Sequence, residues 1–254
     1  MSFVKVDHVS HSYFSPKSRV EALKDVQLEI NQGEFVSFLG PSGCGKSTLL
    51  SIIAGLLKPT FGEVRVKGKN PMKTKNTIGY MLQQDYLFPW KTIRENTSLG
   101  ASLLHLPSQE TDIMVLALLE EMGLSKFIDA YPHELSGGMR QRASLVRTLV
   151  TNPTLLLLDE PFSALDFQTK LKMEDLVLST LKSYDKTAIL VTHDISEAIA
   201  MSDRIILFSK HPGKIHRVFE VPKELVAISP FEARNHSSYP AFFHLIWKEL
   251  ENLE

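Results

Sequence analysis

Lys46 and Ser47 follow a glycine-rich run. The stretch reads Gly40, Pro41, Ser42, Gly43, Cys44, Gly45, Lys46, Ser47, Thr48. A glycine, four residues and then Gly-Lys-Ser is the spacing of a phosphate-binding loop. Glycines let the backbone curl so that successive N–H groups point inward at phosphate oxygens. A helix opening near Lys46 adds unsatisfied N–H groups and the positive end of its dipole. Lys46 puts a point charge where β- and γ-phosphates would lie, and the Ser47 hydroxyl would ligate Mg²⁺ beside them. Glu34 to Leu39 is an apolar segment of strand length, and Leu49 to Ala54 reads as the helix that leaves the loop. This strand–loop–helix context points to nucleotide binding.

Other residues suited to phosphate chemistry stand at the ends of expected strands and helices. Leu155 to Leu158 is a continuous apolar run, as in a parallel strand buried on both faces, and it ends in Asp159 and Glu160. Asp159 would hold Mg²⁺ through its water shell, and Glu160 would polarise an attacking water. Two adjacent acids at the end of a buried strand are costly unless paired or metal-bound. Thr187 to Val191 is a further apolar strand ending at Thr192, His193 and Asp194, a position from which His193 can reach a γ-phosphate. Gln83 closes the strand Thr77 to Leu82, where its amide would ligate Mg²⁺ or orient water. Tyr13 stands in the stretch His11 to Pro16 and can stack on a base. Ser136 can cap a helix, and Gly137 and Gly138 leave N–H groups unscreened, which makes a second anion-binding helix end. Taken singly, these have plainer readings: a strand aromatic, a capped helix, a solvated turn, a structural histidine. Cys44 reads as a small residue that fits the loop. The helix end and Lys46 would still lower its thiol pKa. Thiol reagents should then inactivate the protein, and MgATP should protect it.

The elements that must position these residues are legible in outline. Val4 to about Ile30 reads as short alternating strands closed by a turn at Asn31 to Gly33. Gly62 to Gly68 is an alternating strand ending in a turn. From about 92 to 131 the pattern becomes helical, through Ile113, Leu116, Ala117, Leu119 and Met122, with loops at Leu106 to Ser108 and Gly123 to Ser125. It reads as a small helical subdomain set into an α/β core. A turn at Pro161 to Asp166 precedes a helix over Leu171 to Ser183. Ile195 to Ser202 reads as helix and Arg204 to Phe208 as strand. In the tail, Phe242, Phe243, Ile246, Leu250 and Leu253 recur at the spacing of a helix packing on its own domain.

The 254 residues are 43% hydrophobic and 22% charged, with a formal net charge of −1. That balance argues against a broad nucleic-acid surface. No apolar run approaches the roughly 20 residues that span a bilayer. The first residues lack a signal-peptide pattern, so a cytosolic chain is expected. One cysteine excludes an intrachain disulfide and a multi-cysteine zinc site.

Taken in this order, the motifs make the chain resemble the nucleotide-binding subunit of an ABC transporter. Residues 40–48 look like its Walker A loop, 135–139 like its signature motif and 155–160 like Walker B. Ser163 to Asp166 look like the D-loop, His193 like the switch histidine, Gln83 like the Q-loop glutamine, and Tyr13 like the adenine-stacking aromatic. The resemblance implies an α/β fold: a P-loop NTPase (RecA-like) core with an N-terminal antiparallel β subdomain and an inserted helical subdomain. Residues 1–254 would form one ATPase domain. Its core would be 1–87 and 150–220, its helical subdomain 88–149, and its tail 221–254, with a short helix. Gly40 to Thr48, Tyr13, Ser136, Gly137, Gly138 and Asp166 would hold ATP. Ser47, Gln83 and Asp159 would hold Mg²⁺, and Glu160, His193 and Gln83 would carry catalysis. In that family two subunits sandwich two ATP molecules, each Walker A loop closed by the partner's signature helix. The expected assembly is a homodimer on ATP binding. It would sit on transmembrane permease subunits at the cytoplasmic face of the membrane, with no nucleic-acid partner.

Phe88 to Trp90, Leu135 to Arg142 and Ser209 to Ile215 resemble the nitrate/sulfonate/taurine importer group more narrowly. That group works with a permease and, indirectly, an extracytoplasmic solute-binding protein. The cargo would be a sulfonate, nitrate, taurine or a thiamine precursor. Ser144 to Leu149 departs from the more alanine-rich helix of the group, which leaves the substrate open. Exporter subunits, ribosome-acting proteins and chromosome-acting proteins share the same site. The short gap between Gln83 and Ser136 and the single cassette speak against the last two, and the Phe88 to Trp90 stretch against an exporter.

Overall fold

The computed structural model describes residues 2–253 except 17, 75, 76, 164 and 211. Ala164 of the Ser163 to Asp166 stretch and His211 of the Ser209 to Ile215 stretch therefore lie outside the described residues. The chain opens with β1 (Val4–Ser15), β2 (Ser18–Ile30) and β3 (Phe35–Leu39), then α1 (Lys46–Ile53), β4 (Phe61–Val66) and β5 (Ile78–Met81). Next come α2 (Ile93–Leu103), α3 (Ser108–Glu121) and α4 (Gly137–Leu149). They are followed by β6 (Leu155–Asp159), α5 (Phe167–Ser183), β7 (Thr187–Thr192), α6 (Ile195–Met201), β8 (Arg204–Ser209) and β9 (Lys214–Glu220). The chain closes with α7 (Lys223–Val226), α8 (Pro230–Asn235) and α9 (Tyr239–Glu251).

Two sheets organise these elements. One has the order β2-β1-β4 and is antiparallel. The other has the order β5-β6-β7-β3-β8-β9, parallel except for β9. Its strands β3, β6 and β7 are buried at every residue. The run Leu155 to Leu158 divides between two cores. Leu155 and Leu157 pack with α1 and the antiparallel sheet, whereas Leu156 and Leu158 pack towards the α2–α4 segment and α5. Burial on both faces is why β6 does not alternate in sequence. A third cluster joins the outer face of β8 to α6, α7, α8 and α9.

Several expectations are corrected. The N-terminal strands are not short: β1 and β2 run 12 and 13 residues as one hairpin. Left-handed residues His8 and Asp25, with register shifts between Val6 and Val9, break its alternation and hide its length. The helix expected from Leu171 begins at Phe167, because Asp166 accepts the Thr169 N–H at 3.0 Å as its N-cap. Among the described residues the tail carries three helices, not one short one, and α9 alone has 13 residues. Among the described residues no helix is long and apolar enough to cross a membrane.

Candidate functional site

The loop from Gly40 to Gly45 joins central strand β3 to α1. Gly45 caps the helix at φ +92, and a Cβ there would meet the Ala22 carbonyl at 2.7 Å. Only glycine accepts both the handedness and the contact. Lys46 is buried, and its ammonium donates to the Gly40 and Pro41 carbonyls at 2.7 and 3.1 Å, which closes the loop on itself. The loop forms one wall of an open cleft of about 320 Å³, lined also by Tyr13, Ala22 and Glu160. Tyr13 is half-exposed at the rim. Its hydroxyl lies 3.2 Å from Thr48 Oγ1, and the ring of His11 meets it edge-on at 4.7 Å.

Strand order delivers the acids to the same place. In the β6-β7-β3 register Asp159 lies opposite Val191, and Leu39 opposite Thr192. Ser47 Oγ donates to Asp159 Oδ1 at 3.0 Å, and the Tyr80 hydroxyl reaches Asp159 Oδ2 at 3.4 Å. Burial raises the Asp159 carboxyl above the usual range, against the Ser47 hydrogen bond, and the neighbouring Glu160 charge raises it further. Burial also pushes the Tyr80 phenol up to about 12, so it stays a neutral donor. Glu160 leaves the strand in left-handed backbone, at φ 47, with its N–H held by the Val191 carbonyl at 2.9 Å. That turn breaks the strict alternation of a strand, so neighbouring acids need not face opposite sides. Gln83 Nε2 donates to Glu160 Oε2 at 3.1 Å, and His193 Nδ1 stands 3.4 Å from Glu160 Oε1.

The structure thus brings together Tyr13, residues 40–48, Asp159, Glu160, Gln83 and His193. It places Ser136, Gly137, Gly138 and Asp166 outside that cleft. Ser136 caps α4 by accepting the Met139 N–H at 3.4 Å. A Cβ on Gly138 would meet Leu165 and Thr169 at 3.0 and 3.3 Å, so this helix end lies against the turn that opens α5. Ser47 and Asp159 offer two hard oxygens 3.0 Å apart, a donor set suited to Mg²⁺ held mainly by phosphates and water. Among the described residues there is no group of three or more His, Cys, Asp or Glu that could hold an ion without such help.

Cys44 is a correction. Its side chain is fully buried, and burial raises its thiol pKa despite Lys46 Nζ 3.6 Å away. Reagent attack on the folded loop is not expected.

Several positioning contacts escaped the sequence reading. The Tyr80 contact with Asp159 is one. Arg140 pairs with Asp85 at 3.0 Å, and Arg147 donates to the Asp85 and Tyr86 carbonyls at 2.6 and 2.8 Å, tying the loop after Gln83 to α4. Lys170 on α5 bridges Asp194 and Glu197 at 2.6 and 2.5 Å. No local motif marks these pairs, since the partners lie between 24 and 79 residues apart.

Residues 23–163 match the family described as ABC transporter. Over 254 residues the chain is 59% identical to the uncharacterized ABC transporter ATP-binding protein YtlC of Bacillus subtilis, covering 100% of this chain and 98% of that one. It is 38% identical over 261 residues to the taurine import ATP-binding protein TauB of Roseobacter denitrificans, covering 100% and 97%. Aliphatic sulfonate and nitrate import ATP-binding proteins are also similar. A solved dimer of the ATP-binding cassette MJ0796, in a post-hydrolysis state with ADP and Pi, superposes with a TM-score of 0.78. That match is 34% identical and covers 86% of this chain and 99% of that one.

Proposed function

The chain belongs to the ABC transporter family as an ATP-binding subunit, and from that premise we propose that it powers an importer of a small anionic or zwitterionic solute. Its activity is the family's: hydrolysis of ATP coupled to transport. The relatives that import taurine, sulfonates and nitrate support the solute class. The partners are a permease and, through it, an extracytoplasmic solute-binding protein. The chain works from the cytoplasmic face.

The observation that carries the reading is the Glu160 carboxylate at the cleft edge, held between Gln83 and His193. Tyr13 stacks on the base, and the N–H groups of residues 42–48 with the Lys46 ammonium cradle the phosphates. Ser47 and Asp159 would hold Mg²⁺, which would supply charge neutralisation on the phosphates. Gln83 and His193 orient the Glu160 carboxylate. Glu160 accepts a proton from water as the water oxygen bonds to the γ-phosphorus, and the bond to the ADP oxygen breaks. Ser136, Gly137, Gly138 and Asp166, which lie off this cleft, act on the ATP of a second copy. The MJ0796 dimer supports that arrangement.

Replacing Glu160 with Gln tests the site. The variant is expected to bind ATP as the wild type does, to lose roughly 100- to 1,000-fold in turnover, and to accumulate as an ATP-bound dimer. Wild-type turnover would remove Glu160 from the role of base. A gentle-detergent pull-down from native cells tests the transport reading. A multi-span permease supports it, and ribosomes or nucleic acid without a permease overturn it.

A further inference from the structure

The structure assigns the C-terminal helices a positioning role in hydrolysis: Arg234 on α8, through Glu174, braces the two helices that hold the His193 turn against Glu160. The inference rests on the reading above, in which His193 takes part in turnover.

The chain of contacts is continuous. His193 lies between Thr192, the last residue of β7, and Asp194, the N-cap of α6. Asp194 donates its N–H to Thr192 Oγ1 at 3.0 Å, and its carboxylate accepts the Ser196 N–H at 2.7 Å. The Thr192 hydroxyl also bonds the buried Glu197 carboxylate. Lys170 then fastens this turn to α5 through Asp194 and Glu197. One helical turn further along α5, on the same face, stands Glu174, fully buried. Its carboxylate pairs with the guanidinium of Arg234, and its Oε1 finds no hydrogen bond among the described residues. Arg234 also donates to the Pro230 carbonyl at 3.0 Å and approaches the Ser196 carbonyl at 3.5 Å. Tyr239, the first residue of α9, packs against the cluster that holds Ile195, Ala198 and Ile199. Arg234 therefore reaches both α5, at Glu174, and α6, at Ser196, three residues beyond His193.

A tail that only covered apolar surface would not need this pair. The apolar contacts exist separately, with Leu225, Ala233 and Ile246 packed with Ile195, Ala198 and Ile199. Well-packed apolar residues in place of a buried ion pair are often as stable or more so. What a buried, directional network adds is a fixed geometry. Here the geometry it fixes is the angle between α5 and α6, and with it the reach of His193 to Glu160.

The test is a double-mutant cycle on the full chain, with steady-state ATPase rates, ATP affinity by a fluorescent nucleotide and circular dichroism. Arg234→Met is expected to lower kcat roughly tenfold or more with ATP affinity unchanged. In a His193→Ala background the same substitution is expected to cause no further loss, because Arg234 acts through His193. Arg234→Lys should recover part of the rate. Since Arg234→Met leaves a buried charge unpaired, the paired Glu174→Met/Arg234→Met variant is measured alongside. It is expected to fold and bind ATP while keeping the kcat defect. A wild-type kcat in the paired variant overturns the proposal. So does a loss from Arg234→Met that persists undiminished without His193, or one that falls on ATP affinity alone. Normal turnover in His193→Ala by itself would instead overturn the catalytic reading of His193.

Discussion

At Cys44 two effects act on one thiol in opposite directions. The neighbouring lysine and helix end favour the thiolate, while enclosure in the core favours the thiol. Burial is larger, and Cys44 becomes a small apolar residue under the phosphate loop. A maleimide is expected to leave the native chain unlabelled, with or without MgATP, and to label it fully in denaturant. Mass spectrometry of both samples checks this, and rapid native labelling would contradict it. Glu160 shows the same competition in backbone form. A left-handed, non-glycine residue costs on the order of 1 kcal/mol or more. It persists here because the Val191 carbonyl holds its N–H, Gln83 meets its side chain, and its own carbonyl accepts the Ser163 hydroxyl at 3.0 Å.

Among the elements, α6 is the one whose entry matters most. It has only seven residues and owes its start to Asp194, which caps Ser196 and Glu197 and binds Lys170. Burial alone would raise the Asp194 carboxyl. The Lys170 hydrogen bond and charge and the helix N–H groups overcome this and hold it below its ordinary 3.8. A depressed carboxylate pKa adds stability that is complete above the unfolded value and is lost as pH falls through the folded one. Asp194→Ala is therefore expected to lower stability by about 1–2 kcal/mol at neutral pH, with the gap to wild type closing in strong acid. Melting curves at both pH values check this, and a gap that stays constant would refute it. The loop after Gln83 is fixed differently, by Arg140 and Arg147 reaching out from α4. Any movement of that loop is thereby shared with the helix that Ser136 begins.

For the whole molecule, the decisive placement is that the helix end at Ser136, expected to bind anions, is not among the residues that line the phosphate-loop cleft. The phosphate loop opens into the cleft, whereas Ser136 to Gly138 lie by Leu165, away from it. In the function proposed above, a site that needs both would be completed by a second copy. Ser136→Arg is expected to bind ATP normally and to remain monomeric under ATP, seen by light scattering. Wild-type dimerisation would contradict the trans arrangement. The sequence by itself determined the phosphate loop, the acidic strand end, the capped helix at Ser136 and the α/β fold class. The first three are each set by residues within about ten positions of one another, where backbone geometry and periodicity are local, and the fold class by the order in which such segments follow. Only the tertiary structure decided the rest. Gln83 meets Glu160 across 77 residues of chain. Glu174 is answered by an arginine in the tail, and Cys44 is closed off by the core around it. The hairpin length and the three tail helices belong here too, masked by left-handed bulges and by faces only partly apolar. Burial and charge pairing arise between elements brought together by packing, and no local spacing encodes which ones will meet.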